Sequence, residues 1–177
     1  MKCVTQNEII DSILNSFKNN LGKGFESYKN HVYRVYNFAI TNITANQDIQ
    51  ALSIASAFHD LGIWTNNTFD YIQPSIDLAK KYCLENSITQ GMTLEIVTMI
   101  EEHHKLSTVK HARLAELFRQ ADLTDLTWGL IYRGAGRKNI VKIKKTFPNK
   151  GFHLNLCKLF IKNLLVNPLK PLPMYKW

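Results

Sequence analysis

The stretch Ser53-Ile54-Ala55-Ser56-Ala57-Phe58-His59-Asp60-Leu61-Gly62-Ile63-Trp64 decides how the rest of the chain is read. It is a small, apolar helical run that ends on an imidazole beside a carboxylate, with a glycine two residues later. Adjacent residues on a helix point about 100° apart, so His59 and Asp60 serve one site only where the helix is ending. Side by side at a buried helix end, the pair is costly unless something compensates, and a divalent metal is the obvious compensator. The plainer alternative is a histidine that caps the helix and an aspartate that begins a turn. Further ligands elsewhere in the chain decide between the two.

Upstream, Thr5 is placed to cap a first helix whose Ile9, Ile10, Ile13, Leu14 and Phe17 follow the 3.6-residue period. A second helix is expected over residues 28–44, with Tyr28, Val32, Val35, Phe38 and Ala39 as its inner stripe. His31 stands four residues before Val35 and seven before Phe38, on the buried side. The third helix, from about residue 48, carries His59 at its end. Residues 63–71 then read as a loop, polar but holding Trp64, Phe69 and Tyr71, which would wall a pocket next to a metal.

Downstream, Pro74 suits the first turn of a fourth helix running to about residue 86. Thr89 or Thr93 opens a fifth that ends in Met99-Ile100-Glu101-Glu102-His103-His104-Lys105. A cation is welcome at that helix C-terminus. Because His103 and His104 are adjacent, at most one is expected to point fully into a site. A sixth helix from about residue 111 has Leu114, Leu117, Phe118 and Ala121 on its inner stripe, and Asp122 continues the stripe. A carboxylate on a buried face is rare without a partner. Asp125, one turn on, can share that face. From residue 127 the chain is expected to stay largely helical, with Gly134–Gly136 as a break, 147–152 as a loop and a final helix over 153–166. The tail from Asn167 contains three prolines and reads as an extended arm that packs on the domain or on a second subunit.

At 177 residues, 45% hydrophobic and 20% charged, the chain fits one globular domain: a core over 28–125 with C-terminal helices and arm over 126–177. No apolar run is long enough to span a bilayer, and the N-terminus lacks the order of a signal peptide. Cys3, Cys83 and Cys157 are scattered and odd in number, which predicts reduced thiols and a cytoplasmic protein. Of the net charge of +8, much gathers from Arg133 through Arg137, Lys138, Lys142, Lys144, Lys145 and Lys150. Such a run is a solvated helix face or an electropositive rim for an anionic substrate. Aromatic residues are not interleaved with it in a stacking pattern, which argues against nucleic acid.

His31, His59-Asp60 and Asp122 thus fall on inner faces or ends of different helices. Two imidazoles and two carboxylates suit Mn²⁺, Fe²⁺, Zn²⁺, Co²⁺ or Ni²⁺ and leave positions for water and substrate. The order His31, His59-Asp60, Asp122 resembles the pattern of the HD-domain metal-dependent phosphohydrolase superfamily. The flanking text agrees: Asn30-His31-Val32-Tyr33-Arg34-Val35, Ala57-Phe58-His59-Asp60-Leu61-Gly62 and Gln120-Ala121-Asp122-Leu123-Thr124-Asp125. The resemblance covers residues 28–125. It implies an all-α bundle around a central metal held by His31, His59, Asp60 and Asp122.

Binuclear relatives add histidines, including one in the region that is here 66–86, where this chain has none. Ile100-Glu101-Glu102-His103 resembles the Ile-x-x-His of several members, and His103-His104 resembles the paired histidines of cyclic-dinucleotide hydrolases, but the Gly-Tyr-Pro element of those enzymes is absent. A single ion is therefore expected, with His103 or His104 near the substrate.

The resemblance implies a phosphohydrolase acting through metal-activated water on a nucleotide or other small phosphorylated metabolite. Asp60, His103 and His104 are the catalytic candidates, with Glu101, Glu102 or Asp70 as substitutes for the proton shuttle. Arg34, Lys105 and Arg133 are the candidates for gripping phosphate. Two alternatives stay open: hydration of a small neutral molecule, as in cyanamide hydratases, and a non-catalytic metal-stabilised binding module. A narrow apolar pocket without basic residues would favour hydration, and a wide basic one would favour phosphate.

Overall fold

In the computed structural model, residues 3–43, 45–132 and 136–175 are described, and among them every regular element is helical. Ten α-helices follow in order: α1 Glu8–Ser16, α2 Lys18–Leu21, α3 Phe25–Ala39, α4 Asn46–Phe58, α5 Gly62–Thr65, α6 Ile72–Glu85, α7 Gln90–Glu102, α8 Arg113–Leu126, α9 Arg137–Thr146 and α10 Phe152–Val166. Helices α2 and α5 are single turns. None is long and apolar enough to cross a membrane.

Helix α3 is the axis. It packs on α4 and α8, while α7 closes the far side against both α4 and α8. Helix α4 starts on polar residues, but from Ala51 to Phe58 it is made of small and apolar side chains and is buried on all sides. The first helix is capped by Asn7 rather than Thr5. The Asn7 side chain accepts from the Ile10 N–H and donates to Ser53 on α4, so it serves helix end and packing together. The second helix ends at Ala39 and passes into a 3-10 turn, Ile40–Asn42; the expected end at Thr44 lies outside the described residues.

Two turns position the site. Gly62 packs its Cα against the start of α6, where a Cβ would lie 2.5 Å from the Tyr71 carbonyl oxygen. Its N–H donates to Ser75 Oγ at 3.0 Å, which ties the start of α5, just past His59-Asp60, to the first turn of α6. At the end of α8, the Gly129 N–H bonds the Thr124 carbonyl at 2.7 Å, with Gly129 at φ +78°. That closure, a left-handed helix stop, ends the helix where continued helix was expected. Of the expected break at 134–136, only Gly136 lies among the described residues, and it precedes α9 in extended conformation.

The basic run splits in function. Ile140 and Ile143 of α9 face inward, while Lys142 and Lys145 are exposed. Lys144 instead lies over the Trp128 ring at 4.1 Å and donates to its carbonyl, and Lys150 pairs with Glu26 at 3.0 Å. All three cysteines are free thiols.

Candidate metal centre

Each site residue comes from an inner face or an end of a helix. His31 lies mid-way along α3. His59 and Asp60 occupy the turn after α4, His103 and His104 the turn after α7, and Asp122 the inner face of α8. His31, His59, Asp60, His103 and Asp122 are all at most 3% exposed.

The histidines are held from behind. His31 Nδ1 lies 2.7 Å from Asp125 Oδ2, His59 Nδ1 lies 2.9 Å from the Ser56 carbonyl, and His103 Nδ1 lies 2.7 Å from the Ile100 carbonyl. Those acceptors fix the proton on Nδ1 in all three rings, which leaves each Nε2 as a lone pair turned inward. His31 Nε2 and His59 Nε2 then face each other at 2.9 Å. Two lone pairs at that distance repel unless a proton or a cation lies with them.

Around them the spacings repeat. Asp60 Oδ2 is 3.4 Å from His31 Nε2 and 3.6 Å from His59 Nε2; Asp122 Oδ1 is 3.8 and 3.7 Å from the same atoms. For ligand bonds of about 2.0–2.2 Å, neighbouring ligand atoms around one ion stand roughly 3.0–3.5 Å apart. His31, His59 and Asp122 could hold an ion.

A second group could as well: Asp60, His103 and His104. Asp60 Oδ1 lies 3.3 Å from His103 Nε2, and both atoms are buried with no hydrogen-bond partner. Asp122 Oδ2 lies 3.8 Å from His104 Nδ1. Each carboxylate therefore straddles the two groups. This corrects two expectations. His103 and His104 both turn inward, their ring centres 4.0 Å apart, because α7 stops at Glu102 and the two residues sit in a turn where the helical angle between neighbours no longer applies. And the lack of a histidine in residues 66–86 does not limit the donors to one ion, since that turn supplies two imidazoles.

Burial opposes charge on His31, but its hydrogen bonds to Asp125 and Asp60 prevail and raise its pKa to about 9. Burial likewise opposes ionisation of Asp60 and Asp122, yet the surrounding imidazoles hold both carboxyls below their ordinary range. His104 goes the other way: burial and the neighbouring His103 lower it to about 3. The centre is thus built to keep its carboxylates charged and to welcome positive charge.

Arg34 has a different task from the one expected. Fully buried, it grips Asp125 with Nε at 2.6 Å and Nη2 at 2.8 Å, and donates Nη1 to the Phe147 carbonyl at 3.1 Å. The guanidinium has no face left for phosphate; it orients the carboxylate that orients His31. Lys105 pairs with Glu102 at 2.7 Å and lines a small pocket of about 70 Å³ together with Arg119, His103, His104 and Asp122. Arg119 is itself bound to Glu116 through two hydrogen bonds, at 2.8 and 2.7 Å. Arg133 lies outside the described residues. Of the substitute carboxylates, Asp70 is exposed, Glu102 holds Lys105, and Glu101 lies on α7 outside both donor groups.

One contributor was read from the sequence only as a pocket wall, and another escaped it. The Tyr71 hydroxyl is 2.6 Å from His104 Nε2 and so fixes that ring. Phe152, the first residue of α10, stacks on His31 with ring centres 4.0 Å apart and covers the centre from the C-terminal side. Asp125 had a local signal, one turn beyond Asp122; Phe152 had none. Of the aromatic wall, Phe69 and Tyr71 do border a cavity beside His104, whereas Trp64 turns back onto Tyr28.

Compared with known proteins, this chain matches no family model, no curated protein and no solved structure.

Proposed function

We propose that this protein is a metal-dependent hydrolase of the HD-domain type, acting on a small substrate that is uncharged at its reacting end. The observation that carries the reading is the pair of inward Nε2 atoms of His31 and His59 at 2.9 Å, ringed by Asp60 and Asp122. His31, His59, Asp60 and Asp122 would hold the ion, and His103 and His104 complete a second donor group around the free carboxylate oxygens. A divalent ion in such a site lowers the pKa of water toward neutrality and polarises the atom under attack. In the reaction, the water oxygen bonds to the electrophilic atom and one proton passes to the atom that departs or becomes saturated. The Tyr71 hydroxyl and His104 Nε2, 2.6 Å apart, lie beside the donor atoms where that proton would move.

The charge of the surroundings favours an uncharged substrate over a phosphoester. Arg34 is consumed by Asp125, and Lys105 and Arg119 are ion-paired to Glu102 and Glu116. Among the described residues, the larger cavity beside His104 is lined by no Lys or Arg. A second reading, hydrolysis of a small phosphoester, rests on Lys105 and Arg119 at the edge of the 70 Å³ pocket.

The experiment pairs the protein, loaded in turn with Mn²⁺, Fe²⁺, Co²⁺, Ni²⁺ and Zn²⁺, with uncharged nitriles and esters, cyanamide and a phosphoester panel. Metal-dependent turnover of an uncharged substrate, lost in Asp122→Ala, is expected. Turnover of phosphoesters alone moves the assignment to the second reading; activity that persists in Asp122→Ala overturns both.

A further inference from the structure

Beside the centre lies a cavity of about 180 Å³ between the start of α6, the inner side of α10 and the C-terminal arm. Phe69 and Tyr71 form one wall, Leu156 and Phe160 the second, and Met174 and Tyr175 the third. Among the described residues, none that lines it is Lys, Arg, Asp or Glu. An apolar protein cavity of about 150 Å³ stays dry and takes up benzene, so this one is large enough for a phenyl ring or a branched alkyl group of similar size.

The cavity is not isolated from the chemistry. His104 is part of its lining, and the same ring stands 3.8 Å from Asp122 through Nδ1 and 2.6 Å from the Tyr71 hydroxyl through Nε2. Tyr175 of the arm faces His104 with ring centres 5.2 Å apart. An apolar group seated there with its attachment point at the His104 end lies next to the donor atoms, and the described residues around it carry no Lys, Arg, Asp or Glu.

We infer that this cavity is the binding site for an uncharged aromatic or branched alkyl group of the substrate, which places the bond to be cleaved or hydrated at the cluster. The inference rests on the hydrolase reading for the word substrate, but not for the binding itself. A charged group of the same shape is refused, because its desolvation would go uncompensated. The arm residues Met174 and Tyr175 thereby act in specificity, since without them the third wall is missing.

The test is a ¹⁹F NMR titration of fluorobenzene into the full-length protein, with 4-fluorobenzoate as the charged counterpart. Fluorobenzene is expected to bind saturably, and 4-fluorobenzoate at least tenfold more weakly. Leu156→Trp and Cys157→Phe, two separate ways to fill the space from α10, should each weaken fluorobenzene at least tenfold, with folding checked by circular dichroism. The exposed Leu165→Ser should leave it unchanged. In protein loaded with Mn²⁺ the bound fluorine should relax much faster than in protein loaded with Zn²⁺, because the cavity adjoins the residues that would hold the ion. Absent saturation, equal affinity for the benzoate, or equal relaxation in protein shown by elemental analysis to carry each metal overturns the inference. If the protein takes up no metal yet binds fluorobenzene with the expected selectivity, the hydrolase reading falls and the cavity assignment stands.

Discussion

Helices α3 and α10 are each fifteen residues long, and they use their residues in opposite ways. Helix α3 carries Asn30, His31, Arg34 and Asn37 among its apolar residues and buries all of them. Helix α10 is the more apolar of the two in composition, yet buries only Phe152 and leaves Leu154, Ile161, Leu165 and Val166 in the open. On α3, every buried polar side chain has an assigned partner: Asn30 the Pro148 carbonyl, Arg34 and His31 the two faces of Asp125, Asn37 the backbone of Val4. Burial therefore follows neighbours, not hydropathy. A central helix surrounded on all sides can bring charge inside because other helices supply the counter-charge; a peripheral helix buries one ring fully, packs Leu156 and Leu159 partly on the core and leaves much of its apolar surface in solvent.

The largest effect is expected where that central arrangement is broken. Asp125→Ala strands Arg34 as an uncompensated buried charge and frees the His31 ring, and should cost about 3–5 kcal/mol in urea unfolding. A loss below 1 kcal/mol would mean that the Arg34–Asp125–His31 chain contributes little. Phe152→Ala, which removes the one buried anchor of α10 and its stack on His31, should cost about 3 kcal/mol. If α10 is held chiefly by its remaining residues, the measured cost will be much smaller.

Weaker still is the tie between α8 and the segment before it. Glu116 accepts from the Val109 N–H at 2.9 Å and from both Arg119 and Gln120, which lowers its pKa from 4.5 to about 2 against the effect of burial. A depressed carboxyl pKa stabilises the fold above its unfolded value and loses that contribution as pH falls. Glu116→Gln should therefore cost about 1 kcal/mol or less at pH 7, with the difference from wild type shrinking between pH 4.5 and about 2. A gap that stays constant through that window would point to packing instead. Smallest of all, Leu165→Ser on the open face of α10, where Leu165 is 79% exposed, should stay within about 0.5 kcal/mol of wild type.

The contrast also explains what could be read from the sequence. Helical phase placed His31 and Asp122 on inner faces, and the helix end placed His59-Asp60, because those are local properties of a regular backbone. The all-α class followed from the same periodicity. His103 and His104 were misjudged because the relevant fact is a stop at Glu102, and periodicity carries no information past a stop. Arg34 looked like a phosphate grip since the carboxylate that holds it stands 91 residues away. Of the cavity only the Phe69–Tyr71 wall was legible: the other walls come from α10 and from an arm whose prolines leave no repeating pattern to read.

The central claim is that the inward atoms of His31, His59, Asp60 and Asp122 surround a cation. Elemental analysis by mass spectrometry of the purified protein, after incubation with Mn²⁺, Fe²⁺ or Zn²⁺ and removal of free ion, tests it most directly alongside Asp122→Ala. One to two equivalents of metal in the wild type and a loss of most of it in a variant that keeps its helical circular dichroism is the expected result. A wild-type protein that retains no metal, or an Asp122→Ala protein that retains as much as wild type, would contradict it.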